Sequence, residues 1–155
     1  MKIQMNQSLL ATLALVAIVA GIAIAGASLP AQAEGAHKAV VINEARPGEQ
    51  VDIAPYKAHG KITIFDFYSK FCPPCVRIAP LLENLMQQRK DIVVFKVDIN
   101  RPSAQGIDWQ SPVAQQYQLR SIPHFKIFDA SGKLMAEGQA ASKMVMEWIQ
   151  KGAQK

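Results

Sequence analysis

The apolar residues fall into one long block near the start of the chain and a series of shorter runs after residue 61. Residues 62–68 are β-branched or aromatic apart from a single Asp, which is typical of a strand buried on both faces. Residues 72–89 carry apolar side chains at helical spacing, and Pro80 within them predicts a kink. Residues 92–97 are a second apolar run. The first part of the pattern therefore predicts strand, helix, strand.

The remaining runs follow a different order. Residues 111–119 open with Ser-Pro, which predicts the N-cap and first turn of a short helix. Residues 124–129 and 134–138 are two short runs joined by a connection that contains Gly, which predicts an antiparallel hairpin. Residues 142–152 open with a Ser and end with a Gly, as a capped helix does. The pattern predicts an α/β domain with a parallel βαβ half and a ββα half.

The long apolar block covers residues 9–27 and follows the only charged residue of the first 33, Lys2. Ala31-Gln32-Ala33 comes after it, so residues 1–33 are predicted to be a secretory signal cleaved after Ala33. A retained anchor is the alternative, because at about 1.5 Å per residue the block roughly matches a bilayer core. Lys2 stays on the cytoplasmic side in both cases, which predicts export of the rest to an oxidising compartment such as the periplasm.

Two further regions follow the leader. Residues 34–56 mix Gly, Pro and charged residues and are interpreted as an entry segment with a short edge strand at 40–42. Residues 57–152 are predicted to form the single folded domain. Removing the leader changes the net charge from +5 to +4, since it holds one basic residue and no acidic one. The basic residues are scattered, so nucleic acid is not an expected partner.

The only cysteines are Cys72 and Cys75, at the predicted junction of strand and helix. N–H groups and the positive dipole at a helix start stabilise a thiolate on the first cysteine, and a thiolate is the form that attacks disulfides. The second cysteine lies one turn further along the same side and can resolve a mixed disulfide. The pair is therefore predicted to be a redox-active disulfide.

Three other roles are conceivable for a close cysteine pair. A structural bridge closing so short a loop adds little stability. A zinc or copper site needs more ligands, and the histidines His37, His59 and His124 lie in unrelated segments. Covalent haem attachment needs a His where the chain has Val76. We therefore expect no metal and no cofactor beyond the Cys72–Cys75 disulfide.

The residues Phe-Asp-Phe-Tyr-Ser-Lys-Phe-Cys-Pro-Pro-Cys at 65–75 resemble the active-site segment of the thioredoxin family. In that family a buried Asp precedes the first Cys by six residues, which is Asp66, and a Lys on the next strand faces it, which is Lys96. Residues 120–123 resemble the family's cis-proline loop, and Gly138 resembles its Gly in the last strand. The resemblance implies the thioredoxin fold, a mixed central sheet with helices on both faces.

The resemblance also implies roles. Cys72 would be the nucleophile and Cys75 the resolving thiol, which Asp66 helps to deprotonate while Lys96 tunes that carboxyl. Burial should raise the pKa of Asp66, which suits proton transfer. A satisfied buried ion pair with Lys96 is the other interpretation.

Substrate binding is implied at Phe71, Ile122 and Pro123. A cis Pro123 would leave the Ile122 backbone free to pair with an extended substrate segment beside Cys72. An ordinary trans turn proline is the alternative.

Several residues depart from the family pattern. Pro73-Pro74 stands where thioredoxin has Gly-Pro, and Phe71 replaces a Trp. Pro73 removes an N–H and restricts Cys72 away from helical dihedrals. A protonated His124 near Cys72 would favour the thiolate. The alternative is that His124 is a surface histidine without such a role. The connection over residues 101–111 is longer than its thioredoxin counterpart.

The implied function is a thiol–disulfide oxidoreductase that acts on disulfides or thiols of exported proteins. We expect a reductant, because an Ile before Pro123 resembles reducing thioredoxins, with electrons supplied by a membrane thiol relay. A membrane contact of its own is expected only if the leader is retained. A disulfide oxidant and a non-catalytic thioredoxin-like binding module are the alternatives.

Overall fold

The computed structural model describes residues 38–152, so the predicted signal over residues 1–33 and His37 lie outside the described part. The strands are β1 (Val40–Val41), β2 (Ile62–Tyr68), β3 (Ile92–Asp98), β4 (His124–Phe128) and β5 (Leu134–Glu137). The helices are α1 (Pro73–Gln88), α2 (Pro112–Gln116) and α3 (Gly138–Gly152), with a 3-10 turn at Ala54–Tyr56. No helix within residues 38–152 has both the length and the apolar character needed to span a bilayer.

The strands form one mixed sheet in the order β1-β3-β2-β4-β5. β3 is parallel to both β1 and β2, whereas β4 runs antiparallel to β2 and β5 antiparallel to β4. The predicted βαβ and ββα halves are confirmed. Because β2 and β3 are parallel and Tyr68 pairs with Asp98, their carboxyl ends meet at one edge of the sheet. The two cysteines follow β2 and therefore lie at that edge.

Each face of the sheet is covered by helices, as predicted. On the α1 face, Ile64 and Val94 pack with Leu82 of α1 and Val145 of α3. On the α2 face, the fully buried Phe65, Phe67 and Val97 pack with Val113 of α2. Alternate residues of a strand point to opposite faces, which explains how the nearly continuous apolar run of β2 serves both cores.

The two later helices differ from their predicted bounds. α2 ends at Gln116 rather than near Leu119, because Gln118 adopts a left-handed φ of 50°. The N–H groups of Gln118 and Leu119 then donate to the carbonyls of Gln115 and Ala114, a Schellman-type stop.

α3 begins at Gly138, four residues before the predicted cap. Gly138 has a φ of 60°, so the chain turns from β5 directly into the helix. Ser142 is consequently inside α3, where its hydroxyl donates to the Gly138 carbonyl 3.0 Å away rather than capping an N–H. Gly138 is thus the first residue of a helix and not part of the last strand.

Candidate active site

Cys72 and Cys75 are joined in a disulfide at the start of α1. Cys72 is the N-cap residue, with extended dihedrals that suit a residue before proline, and Pro73 occupies the first helical position. Its Sγ accepts a hydrogen bond from the Cys75 backbone N–H at 3.2 Å. The side of Cys72 away from the helix faces the Ile122 carbonyl oxygen, 3.7 Å from Sγ. Both cysteines are buried in this oxidised state.

The double proline limits the hydrogen-bond donors around Cys72. Pro73 and Pro74 have no N–H, and the N–H of Val76 already donates to the Cys72 carbonyl at 3.1 Å. The Cys75 N–H is therefore the one backbone donor within the first helical turn that is directed at the Cys72 sulfur. Any thiolate formed at Cys72 depends on this donor and on the helix dipole.

The Ile122–Pro123 peptide bond is cis. Ile122 is half-buried and packs against the α2 face core, which holds its carbonyl beside Cys72. Phe71, directly before Cys72, is 37% exposed, with the Lys70 ammonium 5.1 Å from its ring centroid. The structure thus places Ile122 beside the disulfide and leaves the Phe71 ring accessible to a partner.

Asp66 is fully buried on the α1 face of β2, beneath the helix that carries Cys75. Neither carboxyl oxygen has a hydrogen-bond partner among the described residues. Burial raises the pKa of Asp66 to about 7, and the positive charge of Lys96 opposes part of that rise. A carboxyl with this pKa exchanges a proton readily at neutral pH, which a satisfied ion pair would not do.

Lys96 pairs with Asp66 in the register of β2 and β3, as the family resemblance implies. Within residues 38–152, however, its ammonium takes part in no salt bridge. Nζ lies instead 3.9 Å from the ring centroid of Tyr68. Lys96 therefore influences Asp66 through space rather than by direct contact. Tyr68 was not among the predicted site residues, although its place two residues after Asp66 puts it on the same face.

His124 follows the cis proline and is largely buried. Its Nε2 lies 3.3 Å from a Glu137 carboxylate oxygen, which also accepts from the Lys126 ammonium at 3.0 Å. The ring packs edge-on against Phe67, and a Cβ at Gly138 would approach it to 3.5 Å. Burial lowers the pKa of His124, although the contact with Glu137 works against this. The neutral ring is thus favoured at pH 7, and in that form it carries no positive charge that could stabilise a thiolate at Cys72.

The connection over residues 101–111 is a fixed loop at the same edge of the sheet. Arg101 and Asp108 form a two-pronged ion pair at 2.7 and 3.0 Å, and the Gln115 amide donates to the Trp109 carbonyl at 2.7 Å. Trp109 is half-buried and packs on the α2 face core together with Ile122. The loop and the cis-proline segment therefore pack on the same core.

A metal site at the cysteine pair is one alternative to a redox disulfide. In the described part of the chain, no three His, Cys, Asp or Glu side chains come together closely enough to hold a metal ion.

Comparison with known proteins gives a consistent result. Residues 54–151 match the family model described as Thioredoxin. Among curated relatives, the thioredoxin H-type of Brassica oleracea is 33% identical over 78 residues, 50% of this chain and 57% of that protein. The thioredoxin of Mycoplasmoides gallisepticum is 34% identical over 74 residues, 48% of this chain and 65% of that protein. The chain thus spans less than two thirds of the length of these relatives.

A solved structure gives the same result for the fold. Thioredoxin F from spinach chloroplast superposes with a TM-score of 0.50 at 24% identity, covering 76% of this chain and 95% of that one. At this identity the likeness shows the fold, which agrees with the mixed sheet described above.

Proposed function

The chain belongs to the thioredoxin family, and from this premise we propose that it is a thiol–disulfide oxidoreductase that reduces disulfides of exported proteins. The observation that carries the proposal is a disulfide at the start of α1 together with a buried carboxyl, Asp66, on the sheet face that α1 covers. Asp66 has no hydrogen-bond partner among the described residues and has a pKa of about 7. Burying such a group is unfavourable for folding, so its presence is better explained by chemistry than by stability.

The first step begins from the dithiol form. The Cys72 thiolate attacks one sulfur of a substrate disulfide, so a Cys72–substrate bond forms and the substrate S–S bond breaks. The substrate's other sulfur leaves as a thiolate and takes up a proton. The N–H of Cys75, which lies 3.2 Å from the Cys72 Sγ in the oxidised form, stabilises the attacking thiolate.

The second step resolves this mixed disulfide. The Cys75 thiol gives its proton to the Asp66 carboxylate and attacks the Cys72 sulfur, so the Cys72–Cys75 bond forms and the second substrate thiolate leaves. The substrate gains two electrons and the pair loses two. A dithiol partner must therefore return two electrons before the next cycle, and we propose a membrane thiol relay for this role.

The substrate is held beside Cys72 as an extended segment. The Ile122 carbonyl is 3.7 Å from Cys72 Sγ, so a strand that pairs with the Ile122 backbone brings its own sulfur close to Cys72. The exposed ring of Phe71, directly before Cys72, supplies an apolar contact. Specificity would then rest on main-chain pairing more than on one side chain.

Location outside the cytoplasm, in the periplasm or an equivalent compartment, is supported by the sequence of residues 1–33. Expression of the full chain in a secreting host tests it. If the protein is recovered outside the cytoplasm with Glu34 as its first residue, the leader is a cleaved signal. An exported protein that keeps residues 1–33 is an anchored one, and recovery in the cytoplasm contradicts export.

The reduction potential of the pair tests the proposed direction of electron flow. The purified protein is equilibrated with glutathione or dithiothreitol buffers and its thiols are trapped. A potential near about −270 mV is expected for a reductant, whereas one near about −120 mV identifies an oxidant. A pair that does not cycle contradicts the enzyme and leaves the binding module.

A further inference from the structure

The ammonium of Lys96 is placed against an aromatic ring rather than against a carboxylate. Nζ is 3.9 Å from the centroid of Tyr68, well within the distance at which a cation is attracted to the face of a ring. Both side chains are half-buried at the carboxyl ends of β2 and β3. A partly desolvated contact of this kind is stronger than one on an open surface.

The ring fixes where the charge of Lys96 lies. A lysine side chain has four flexible carbons and extends into water when nothing holds it. Asp66 is the strand neighbour of Lys96 and lies two residues before Tyr68 on the same face. The ring therefore holds the ammonium on the face where that carboxyl is buried, and the positive charge acts on Asp66 without an ion pair. Asp98, the strand neighbour of Tyr68, is the competing anion on β3.

Other charged groups surround this arrangement. The negative charge of Glu44, from the segment after β1, contributes to raising the pKa of Tyr68. The positive charge of Lys70, from the loop before Cys72, works to lower the pKa of Asp98. The disulfide-bonded Cys75 is in the first turn of α1, which covers this face, and the neighbouring β4 pairs the apolar Phe125 with Asp66. Lys96 is the group whose positive charge opposes the rise in the Asp66 pKa.

We propose that Tyr68 is a positioning residue for the redox reaction: its ring holds the Lys96 ammonium where the positive charge acts on the Asp66 carboxyl. This inference rests on the proposed function of Asp66 as the proton acceptor for Cys75. Without the ring, Lys96 moves toward solvent or Asp98, and Asp66 retains its proton to higher pH. Resolution of the mixed disulfide would then require a more alkaline solution.

A different role for Tyr68 makes the opposite prediction. If the ring only shields the carboxyl from water, its removal hydrates Asp66 and lowers the pKa, since burial is the main cause of the upward shift. The direction of the change therefore separates a positioning residue from a merely covering one.

The test is a carbon-13 NMR titration of the Asp66 carboxyl in the full chain, kept in the disulfide form so that no cysteine titrates. Tyr68→Phe, which keeps the ring, is expected to leave the Asp66 pKa unchanged. Tyr68→Leu is expected to raise it by about 0.5 unit. Lys96→Met is expected to raise it at least as far, since the charge itself is gone. If Tyr68→Leu does not fold, Tyr68→Met replaces it as a ring-free side chain of greater length.

A double variant completes the test. In the Lys96→Met background, Tyr68→Leu should no longer raise the Asp66 pKa, because there is no ammonium left to position. An equal rise in both backgrounds, a fall, or no change in the single variant would overturn the inference. The titration needs no turnover, so a pair that fails to cycle in the unaltered protein contradicts the proposed function and leaves this result standing.

Discussion

Helices α1 and α2 start in the same way, yet a disulfide-bonded cysteine begins one and a serine begins the other. Cys72 and Ser111 are both buried N-cap residues followed by proline, and each accepts an N–H from three residues on at 3.2 Å. A serine hydroxyl does not ionise at physiological pH, whereas a free cysteine thiol can form a thiolate, and Cys72 has Cys75 as a disulfide partner. The two helices therefore share the same cap geometry. The type of residue at the cap decides whether thiol–disulfide chemistry is possible there.

The two helices also cover different groups. α1 lies on the sheet face that holds the buried carboxyl of Asp66, whereas the face under α2 is built from apolar residues such as Phe65 and Phe67. The buried apolar residues of the α2 face stabilise the fold at every pH. Asp66 makes the stability of the α1 face depend on pH, and this difference can be measured.

Cys72→Ser removes the chemical difference between the two helix starts. The serine still caps α1, so the fold should survive, while reduction of a disulfide protein such as insulin should fall to the uncatalysed rate because the nucleophile is gone. Turnover and thermal unfolding of the same samples measure this. Ser111→Ala is the matched control, which should lose stability and keep its turnover. Residual catalysis by the Cys72→Ser protein would contradict the assignment of the nucleophile.

Asp66→Asn should remove most of the pH dependence of stability between about pH 4 and pH 7. The pKa of Asp66 is raised from 3.8 in the unfolded chain to about 7 in the folded one, so over this range the folded state holds a proton that the unfolded state has released. The free energy of unfolding therefore falls as the pH rises, by on the order of 4 kcal/mol, and levels off above pH 7. Denaturant unfolding at several pH values measures the slope. A slope that Asp66→Asn leaves unchanged would assign it to another group.

Much of this arrangement could be predicted from local sequence. Ile62–Tyr68 has a strand pattern, Cys72 and Pro73 give a helix start, and the spacing from Asp66 to Cys72 matches a family segment. The ring partner of Lys96 could not be predicted, because it depends on how two strands are aligned and on which way a flexible side chain extends.

The predicted start of α3 at Ser142 was wrong for a related reason. Ser142 has the local pattern of a cap, but the left-handed conformation of Gly138 lets the helix begin directly after β5. The pairing of His124 with Glu137 likewise comes from the hairpin, across 13 residues of sequence. Such features depend on tertiary contacts that local patterns do not report.

Ser111→Ala should destabilise the protein by about 1 kcal/mol, the usual effect of losing a side-chain cap. The Oγ of Ser111 accepts the Ala114 N–H at 3.2 Å in a fully buried position, so an alanine leaves that donor without a partner. Urea unfolding measures the loss. The reduction potential of the cysteine pair should not change, because α2 lies on the opposite face of the sheet. A shift in the potential would show that the two helix starts are coupled.

Pro73→Gly should have the smallest effect of these substitutions. It distinguishes the two helix starts because only one of them carries a thiol. It restores an N–H in the first turn of α1, next to the single backbone donor that the Cys72 sulfur now has. The pKa of the Cys72 thiol should fall, since a further donor favours the thiolate. Pro112→Gly makes the same change in α2. Both variants should lose about 0.5–1 kcal/mol of stability through the unfolded chain, and Pro73→Gly alone should alter the thiol, as followed by its ultraviolet absorbance against pH. An equal thiol pKa in the two variants would mean that the helix dipole and the Cys75 N–H already account for the thiolate, and that the double proline acts only on the backbone.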